Sequence, residues 1–178
     1  METVTIFDYY SETYQLPDGS YVNIEIMDTG GQETFDSQNR LYMKRADCCL
    51  LVYDITNIES FEAIQSHYVK EIKDNCKKNI KIILLGNKSD LKDKRKVSQE
   101  KGVALAKKNN YVFMETSCEQ NFNVQDAFET IIIMTNTEMV KNGLMNLNKK
   151  DELKPFKINE VEKEKNKKVK KKKKCFFF

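Results

Sequence analysis

Three short apolar runs constrain the fold of this 178-residue chain more than any other feature. Apolar residues fill Cys48 to Tyr53, Lys81 to Leu85 and Val112 to Glu115 almost without a break. A strand that is buried on one face alternates apolar and polar residues, whereas a strand covered on both faces does not. The runs therefore predict strands inside a sheet that has other elements packed on both of its faces.

Segments with helical spacing separate these strands. The pattern predicts helices over Ser60 to Asn75, over Gln99 to Lys108 with Ser98 as N-cap, and from Asn123 or Val124 to Val140. Strands that are joined by helical crossovers pair in parallel. The predicted fold class is therefore α/β, with a mostly parallel sheet and helices on both faces.

The residues before Cys48 follow a different pattern. Glu12 to Leu16 and the alternating run Tyr21 to Met27 predict two strands, joined by a hairpin turn at Pro17 to Ser20. Thr34 to Lys44 is polar and irregular, which predicts a loop with a short helix. No apolar run reaches the roughly 18 residues that a membrane-spanning helix needs.

Charge divides the chain into two unlike parts. Lys163 to Lys174 holds nine lysines and one glutamate, a charge of +8, while the whole chain carries +3. The rest of the chain therefore carries −5 and gives no reason to expect nucleic-acid binding. The five cysteines form no CxxC pair and there is one histidine, so we expect reduced thiols and no structural zinc. A bound metal is expected to be a hard ion with oxygen ligands, such as Mg²⁺.

Polar stretches follow directly on four of the predicted strands, beginning at Asp28, Asp54, Asn87 and Thr116. The carboxyl ends of parallel strands meet at one edge of a sheet, where ligands bind in folds of this class. We therefore expect these stretches to line one binding site.

The segment from Asp28 to Gln32 has the composition of a phosphate-binding turn. Asp28 can hold a metal ion through its water shell, and Gly31 lets a backbone N–H approach a phosphate without interference from a Cβ atom. The Gln32 amide donates and accepts hydrogen bonds, as orienting an attacking water requires. A strand followed by a glycine-rich turn without a ligand explains the same residues.

The segment from Asn87 to Asp90 suits the recognition of guanine. The Asp90 carboxylate can accept hydrogen bonds from the N1–H and the exocyclic amine of guanine, which adenine does not offer. Lys88 can lay its alkyl stem over a nucleotide, and Asn87 can tie neighbouring loops together. Backbone N–H groups of Thr116 to Cys118 can face the guanine oxygen. Taken alone, each stretch is also explained as an ordinary turn after a strand.

Together these motifs resemble those of the Ras superfamily of small GTPases. Asp28 to Glu33, Asn87 to Asp90 and Glu115 to Cys118 occur in the order and spacing of that family. Thr5 to Ser11 looks like its effector loop, especially that of the Rho branch, whereas the tail is Ras-like or Rab-like. The resemblance covers residues 3 to 142 and the C-terminus, and it implies a small G domain.

The resemblance implies a role for each matching residue. Thr5 and Asp28 would hold Mg²⁺, and Thr5 would also sense the γ-phosphate. Gly31 would bind that phosphate through its N–H, and Gln32 would orient the hydrolytic water. The guanine base would be read by Asn87, Lys88, Asp90, Ser117 and Cys118. The protein would bind GTP and GDP, hydrolyse GTP, and act as a switch with exchange factors, GTPase-activating proteins and effectors as partners.

The chain departs from the family pattern in several places. Gly30 stands where Ras-type members carry alanine, and Cys118-Glu119 replaces the usual alanine and lysine, so a cation stacked over the base is missing. No GxxxxGKS/T phosphate loop occurs in the 178 residues. By resemblance, the strand before that loop lies between the strands that end at Met27 and Tyr53. We therefore expect a G domain shortened at its N-terminus, with its central first strand missing, two unpaired inner edges and an open apolar groove.

The chain ends on Cys175-Phe176-Phe177-Phe178, which places a cysteine at the position for prenylation, and the final Phe favours a geranylgeranyl group. One lipid chain binds membranes only marginally, and the preceding lysines supply a second signal of about 1 kcal/mol each. The predicted parts are a G domain at 1–142, a flexible linker and polybasic tail at 143–174, and a prenylation box at 175–178. We expect the protein on the cytoplasmic face of the plasma membrane; nuclear import or nucleic-acid binding is the alternative for the basic tail.

Two classes of function are open at this point. The first is a membrane-anchored GTP/GDP switch in signal transduction. The second is a nucleotide-free pseudo-GTPase that acts as a lipid-tethered protein-binding module, for which the missing phosphate loop speaks. We favour the first, because Thr5, Asp28, Gln32 and Asp90 all remain suited to a nucleotide.

Overall fold

A six-stranded sheet forms the centre of the fold. The computed structural model describes residues 7–29, 36–143 and 174–177. The strands are β1 (Phe7–Gln15), β2 (Tyr21–Thr29), β3 (Cys48–Asp54), β4 (Lys81–Asn87), β5 (Val112–Glu115) and β6 (Lys174–Phe177). Their order is β1-β2-β6-β3-β4-β5, with β1 antiparallel to β2 and all other pairs parallel.

The helices lie between the strands in the predicted alternation. They are α1 (Asp36–Arg45), α2 (Ile58–Ala63), a π-helical turn (Ile64–Tyr68), α3 (Val69–Asn75), a 3₁₀ turn (Lys92–Lys94), α4 (Gln99–Asn109) and α5 (Val124–Lys141). The predicted cap of α4 is confirmed, because the Ser98 hydroxyl accepts a hydrogen bond from the Lys101 N–H at 3.4 Å. Within the described ranges, no helix is long and apolar enough to cross a membrane.

Helices cover both faces of the sheet, and the predicted α/β class is confirmed. On one face α2, α3 and α4 pack on a cluster that contains Cys49, Leu51, Tyr53, Ile82 and Leu84; on the other, α5 packs on Cys48, Ile83 and Leu85. Successive apolar residues of β3 and β4 therefore enter opposite cores, except Val52, which is 52% exposed. This is why both runs are apolar without a break.

Two elements begin earlier or run longer than the sequence predicts. β1 starts at Phe7 rather than at Glu12, because its residues pair with β2 as far as Phe7 opposite Thr29. The short helix predicted within Thr34 to Lys44 is the ten-residue α1. Tertiary packing extends it, since Met43 is buried and Arg40 Nε lies 3.0 Å from Glu71 Oε2 on α3.

The expectation of two unpaired inner edges is wrong for β2 from Asn23 to Ile26, whereas β3 has a strand partner on that side only at Cys48. β6 lies between β2 and β3, at the position expected for the missing central strand. It pairs in parallel with β2, from Asn23 opposite Lys174 to Ile26 opposite Phe177, and it meets β3 at Cys48 opposite Phe177. No strand is predicted for these residues from the sequence. The rest of the predicted linker and tail, residues 144–173, lies outside the described residues.

Helix α4 approaches the sheet closely at Gly102. A Cβ atom added there would lie 2.6 Å from the Tyr53 hydroxyl oxygen and would also overlap the Phe113 ring. The Tyr53 hydroxyl is buried without a hydrogen-bond partner among the described residues, and burial raises its pKa to about 12. The phenol is therefore neutral at physiological pH, and Gly102 leaves room for it.

We predict that Gly102→Ala destabilises the domain. Alanine favours a helix over glycine by about 1 kcal/mol, but the overlap with two packed rings costs more, so we expect a net loss of about 1–2 kcal/mol. Chemical denaturation would measure it. Val103→Ala, at the neighbouring exposed position, is the control and should stay within about 0.5 kcal/mol of the unmodified chain. An unchanged midpoint for Gly102→Ala would contradict the packing described here.

Candidate functional site

The polar stretches predicted to form a site meet at one edge of the sheet. β2, β3, β4 and β5 run in the same direction, linked through the parallel pairings of β6, β3 and β4. Asp28 is exposed near the end of β2, Asp54 ends β3 and Asn87 ends β4. The loop from Thr116 follows β5 at the same edge. The predicted convergence is therefore confirmed for the ends of these four strands, while the rest of the first stretch, residues 30–32, lies outside the described residues.

Backbone hydrogen bonds join the loop after β4 to the loop after β5. The Ser89 N–H donates to the Thr116 carbonyl at 3.0 Å, and the Thr116 N–H donates to the Gly86 carbonyl at 2.9 Å. Lys88 adopts a φ of +64°, which is unusual for a residue with a side chain and lets the chain turn sharply after the strand. The two loops are thus held together before any side chain is considered.

Asn87 adds side-chain contacts between the same two loops. Its Oδ1 atom lies 3.3 Å from the Thr116 hydroxyl and 3.6 Å from the Cys118 sulfur, and both groups can donate to it. Thr116 is buried, whereas Cys118 is exposed. Asn87 therefore connects the loops, and Cys118 stands at the solvent-facing side of this junction.

Asp90 is held by a buried hydroxyl. Ser117 is fully buried, and its Oγ atom lies 2.5 Å from Asp90 Oδ1. The same Oγ atom accepts a hydrogen bond from the Gln120 N–H at 3.1 Å, so its own proton is available for Asp90. Among the described residues, no hydrogen bond reaches Asp90 Oδ2. One carboxylate oxygen is thus fixed, and the other is free to accept from a ligand.

Lys88 is anchored across the edge to the end of β3. Its ammonium nitrogen lies 2.8 Å from Asp54 Oδ2, and 53% of the Lys88 side chain is exposed. Burial alone would raise the pKa of Asp54, but the Lys88 ammonium and two hydrogen bonds from Thr56 lower it below its ordinary value. The Lys88 stem therefore runs along the edge from β4 to β3, with an exposed apolar side.

A second layer of polar contacts supports the loop after β5 and was missed from the sequence. Arg95 binds both carboxylate oxygens of Glu115, at 2.6 and 2.9 Å. The Asn123 side chain donates to the Glu115 carbonyl at 2.9 Å. Glu115 directly precedes the Thr116 loop, so these contacts fix where that loop begins. No local pattern in the sequence pairs Arg95 with Glu115, because they lie twenty residues apart.

The phosphate end of the predicted site lies mostly outside the described residues. Thr5, Gly31 and Gln32 are among those that are not described, whereas Asp28 is described and exposed. Across the described ranges, no group of three or more His, Cys, Asp or Glu side chains is arranged to hold a metal. Asp28 offers an oxygen ligand of the type Mg²⁺ prefers, but the predicted Mg²⁺ site stays a prediction.

Known proteins are similar in sequence to most of this chain. The model of the Ras family matches residues 1–138. The Ras-related protein Rab2BV of Beta vulgaris is 41% identical over 125 residues, which cover 70% of this chain and 58% of that protein. Ras-related protein Rab-8A is 40% identical in Bos taurus and 41% in Gallus gallus, in each case over 124 residues that cover 70% of this chain and 59% of the relative. The chain therefore spans less than two thirds of the length of these relatives.

The family match includes every strand from β1 to β5 and the loops that converge at the edge. The segments Asp28 to Glu33, Asn87 to Asp90 and Glu115 to Cys118 all lie within it. On these grounds the chain belongs to the Ras family of small GTPases.

Proposed function

We propose that this protein binds GTP and GDP and works as a molecular switch in signal transduction. The observation that carries the proposal is Asp90, whose Oδ1 is held at 2.5 Å by the buried Ser117 hydroxyl while Oδ2 is left to accept. Guanine presents two adjacent donors, its N1–H and its exocyclic amine. The Asp90 carboxylate, held in one orientation, can accept a hydrogen bond from each of them. The exposed stem of Lys88, beside Asp90, supplies an apolar surface for the face of the base.

We propose the family roles for the phosphate end. Thr5 and Asp28 would hold Mg²⁺, the Gly31 N–H would contact the γ-phosphate, and Gln32 would orient the attacking water. A bound Mg²⁺ would neutralise charge on the phosphate oxygens. Loops that order around the γ-phosphate and loosen after hydrolysis would present different surfaces to effectors, exchange factors and GTPase-activating proteins.

The test is nucleotide selectivity of the full chain. We expect fluorescent GTP to bind with Mg²⁺ present and ATP to compete poorly. Asp90→Asn replaces one acceptor oxygen by an NH₂ donor, so GTP affinity should fall about 100-fold, from one lost bond and one unfavourable donor–donor contact. Xanthosine triphosphate carries an acceptor oxygen in place of the guanine amine, so its affinity should rise in the same variant.

Asp93→Asn is the matched control for this experiment. Asp93 lies three residues further on, exposed in the 3₁₀ turn, and has the same charge. It should leave both affinities unchanged. Equal binding of ATP and GTP by the unmodified chain would refute guanine recognition by Asp90.

The second candidate is a pseudo-GTPase that binds partners without nucleotide. It is favoured by the contacts that these side chains already make with one another without a ligand. Lys88 pairs with Asp54, and Asn87 connects the two loops. These residues would then hold the loops in shape for a protein partner. A complete lack of GTP binding at about 100 μM nucleotide, well above the affinities expected for a switch, would favour this candidate.

We further propose that the protein attaches to the cytoplasmic face of the plasma membrane. Cys175 would carry a prenyl group, and the nine lysines from Lys163 to Lys174 would bind anionic lipid. A single lipid chain and a polybasic segment together give the two signals that stable anchoring needs. The rest of the chain carries a charge of −5 and would be repelled by anionic lipid, so the basic segment would be the part that faces the membrane.

We predict that Cys175→Ser moves the protein from the membrane fraction to the soluble fraction of cells, because one of the two anchoring signals is lost. Cell fractionation and immunoblotting measure the shift. Cys118→Ser removes an exposed cysteine elsewhere and should leave the membrane-bound share unchanged. If Cys175→Ser stays fully membrane-bound, the lipid anchor is refuted.

A further inference from the structure

Basic residues collect at the amino edge of the sheet, opposite the edge that carries the candidate site. Each helix returns the chain to the amino end of the next strand, so α1, α3 and α4 end beside the starts of β3, β4 and β5. α5 ends at the same edge, because Lys81 at the start of β4 forms an ion pair with Glu138 in its last turn. The last turns of these helices, the residues that link them to the next strand and the turn at residues 16–20 before β2 are called here the amino-edge surface.

The amino-edge surface is basic, although the chain outside the lysine-rich tail is acidic as a whole. Its nine cations are Lys44, Arg45, Lys73, Lys77, Lys78, Lys81, Lys107, Lys108 and Lys141. Its four carboxylates are Asp18, Asp47, Asp74 and Glu138, so the surface carries a charge of +5. Because the chain outside Lys163 to Lys174 carries −5, the residues outside both regions carry −10. The cations of the body are therefore concentrated on one edge.

Stabilisation of the helix ends explains only part of this charge. A cation near the end of a helix interacts favourably with the unpaired carbonyl groups there, and α1, α3, α4 and α5 each have a lysine in the last turn. Lys78 is different, because it is exposed in the loop between α3 and β4 and belongs to no helix. A role in capping helices therefore does not account for the whole surface.

Two of the four carboxylates are already paired. Lys77 Nζ lies 2.5 Å from Asp47 Oδ1, and Lys81 Nζ lies 2.9 Å from Glu138 Oε2. In the part of the chain that the structure describes, six further cations of the surface are exposed and form no ion pair: Lys44, Lys73, Lys78, Lys107, Lys108 and Lys141. These six are available to a partner that carries several negative charges.

The spread of these cations favours an extended anionic surface over a small anion. A cavity of about 260 Å³ lies at this edge, between residues 77–81 and the end of α5. Both ion pairs line it and are neutral, so Lys78 is the one cation in its lining that no carboxylate neutralises. Tight binding of a phosphate takes several charged donors at one point. A lipid leaflet, by contrast, presents negative charge to all four helix ends at once.

We propose that the amino-edge surface docks on the anionic leaflet of a membrane, so that the carboxyl edge with the candidate nucleotide site faces away from the lipid. The proposal rests on the membrane attachment proposed above and adds an orientation to it. Residues 144–162, between the body and the lysine-rich tail, span at most about 60 Å when extended, so a tether alone does not fix how the body sits. The surface attracts the leaflet and the residues that carry −10 are repelled by it, which turns the body in one direction.

Single tryptophans in the full chain test the orientation, because the chain contains none. Asn79→Trp places an indole in the amino-edge surface, and Gln125→Trp places one in the first turn of α5, at the opposite edge; both replace exposed amide side chains. On phosphatidylcholine vesicles with about 30% phosphatidylserine, brominated lipid should quench the indole at position 79 at least about threefold more than that at position 125. Equal quenching of the two in vesicle-bound chain would overturn the docking and leave the proposed tail anchor standing.

Charge reversal tests the surface with the tail intact. In Lys44→Glu/Lys78→Glu two exposed cations become carboxylates, so the affinity of the full chain for these vesicles should fall at least about tenfold at about 0.1 M salt. Lys92→Glu/Lys94→Glu is the matched control, with the same change in net charge in the exposed 3₁₀ turn beyond Asp90, and should lower the affinity less than about twofold. An equal loss in both variants would mean that only net charge matters and would overturn the proposal.

The remaining outcomes separate this surface from the membrane attachment on which it rests. If the unmodified chain does not bind vesicles that contain phosphatidylserine, both the attraction of the lysine-rich tail to anionic lipid and the docking of the amino-edge surface are rejected. Nucleic acid is the other polyanion that a basic surface fits. If Lys44→Glu/Lys78→Glu weakens binding to an RNA of about 20 nucleotides and leaves vesicle binding unchanged, the surface binds nucleic acid and the docking is refuted.

Discussion

Parallel pairing between β3 and β4 is the interaction on which the rest of the structure depends. Seven residue pairs join the two strands, from Cys48 opposite Lys81 to Asp54 opposite Asn87. Apart from the exposed Val52, the apolar side chains of both strands enter cores on the two faces of the sheet. The ladder therefore lies between two cores and fixes the helices on each side. The same ladder places Asp54 opposite Asn87 at one edge of the sheet. Lys88, the next residue, can therefore form its ion pair with Asp54. The geometry of the site thus follows from the register of these two strands.

The loops at that edge are held by contacts that need no ligand. Thr116 is bonded to Gly86 and Ser89 through its backbone, and Ser117 is bonded to Asp90. Arg95 and Asn123 fix Glu115 behind them. Such pre-organisation lowers the cost of binding, because a polar group that is already oriented loses little freedom when a ligand arrives. The same contacts would also keep a protein-binding surface in shape, which is why nucleotide selectivity, rather than loop structure, separates the two proposed functions.

The centre of the sheet obeys a second constraint, that buried backbone groups must be paired. The missing first strand predicts unpaired edges on β2 and β3, and β6 pairs with part of β2 and with one residue of β3. From the sequence, Cys175 to Phe178 indicate only a site of lipid attachment, since a cysteine four residues from the end has a recognised meaning. Four residues next to a run of lysines have no periodicity that indicates a strand, and pairing with β2 is a contact across some 150 residues.

The sequence by itself determined the alternation of strands and helices, the hairpin, the cap at Ser98 and the meeting of Asp28, Asp54, Asn87 and Thr116 at one edge. These follow from local periodicity and from the single direction that helical crossovers impose on strands. Only the tertiary structure decided the extent of α1, the Arg95–Glu115 support and the place of β6. Each of these depends on contacts between residues that are distant in sequence. How much such a contact stabilises the protein depends on whether its polar groups would otherwise be buried without a hydrogen-bond partner in the folded chain.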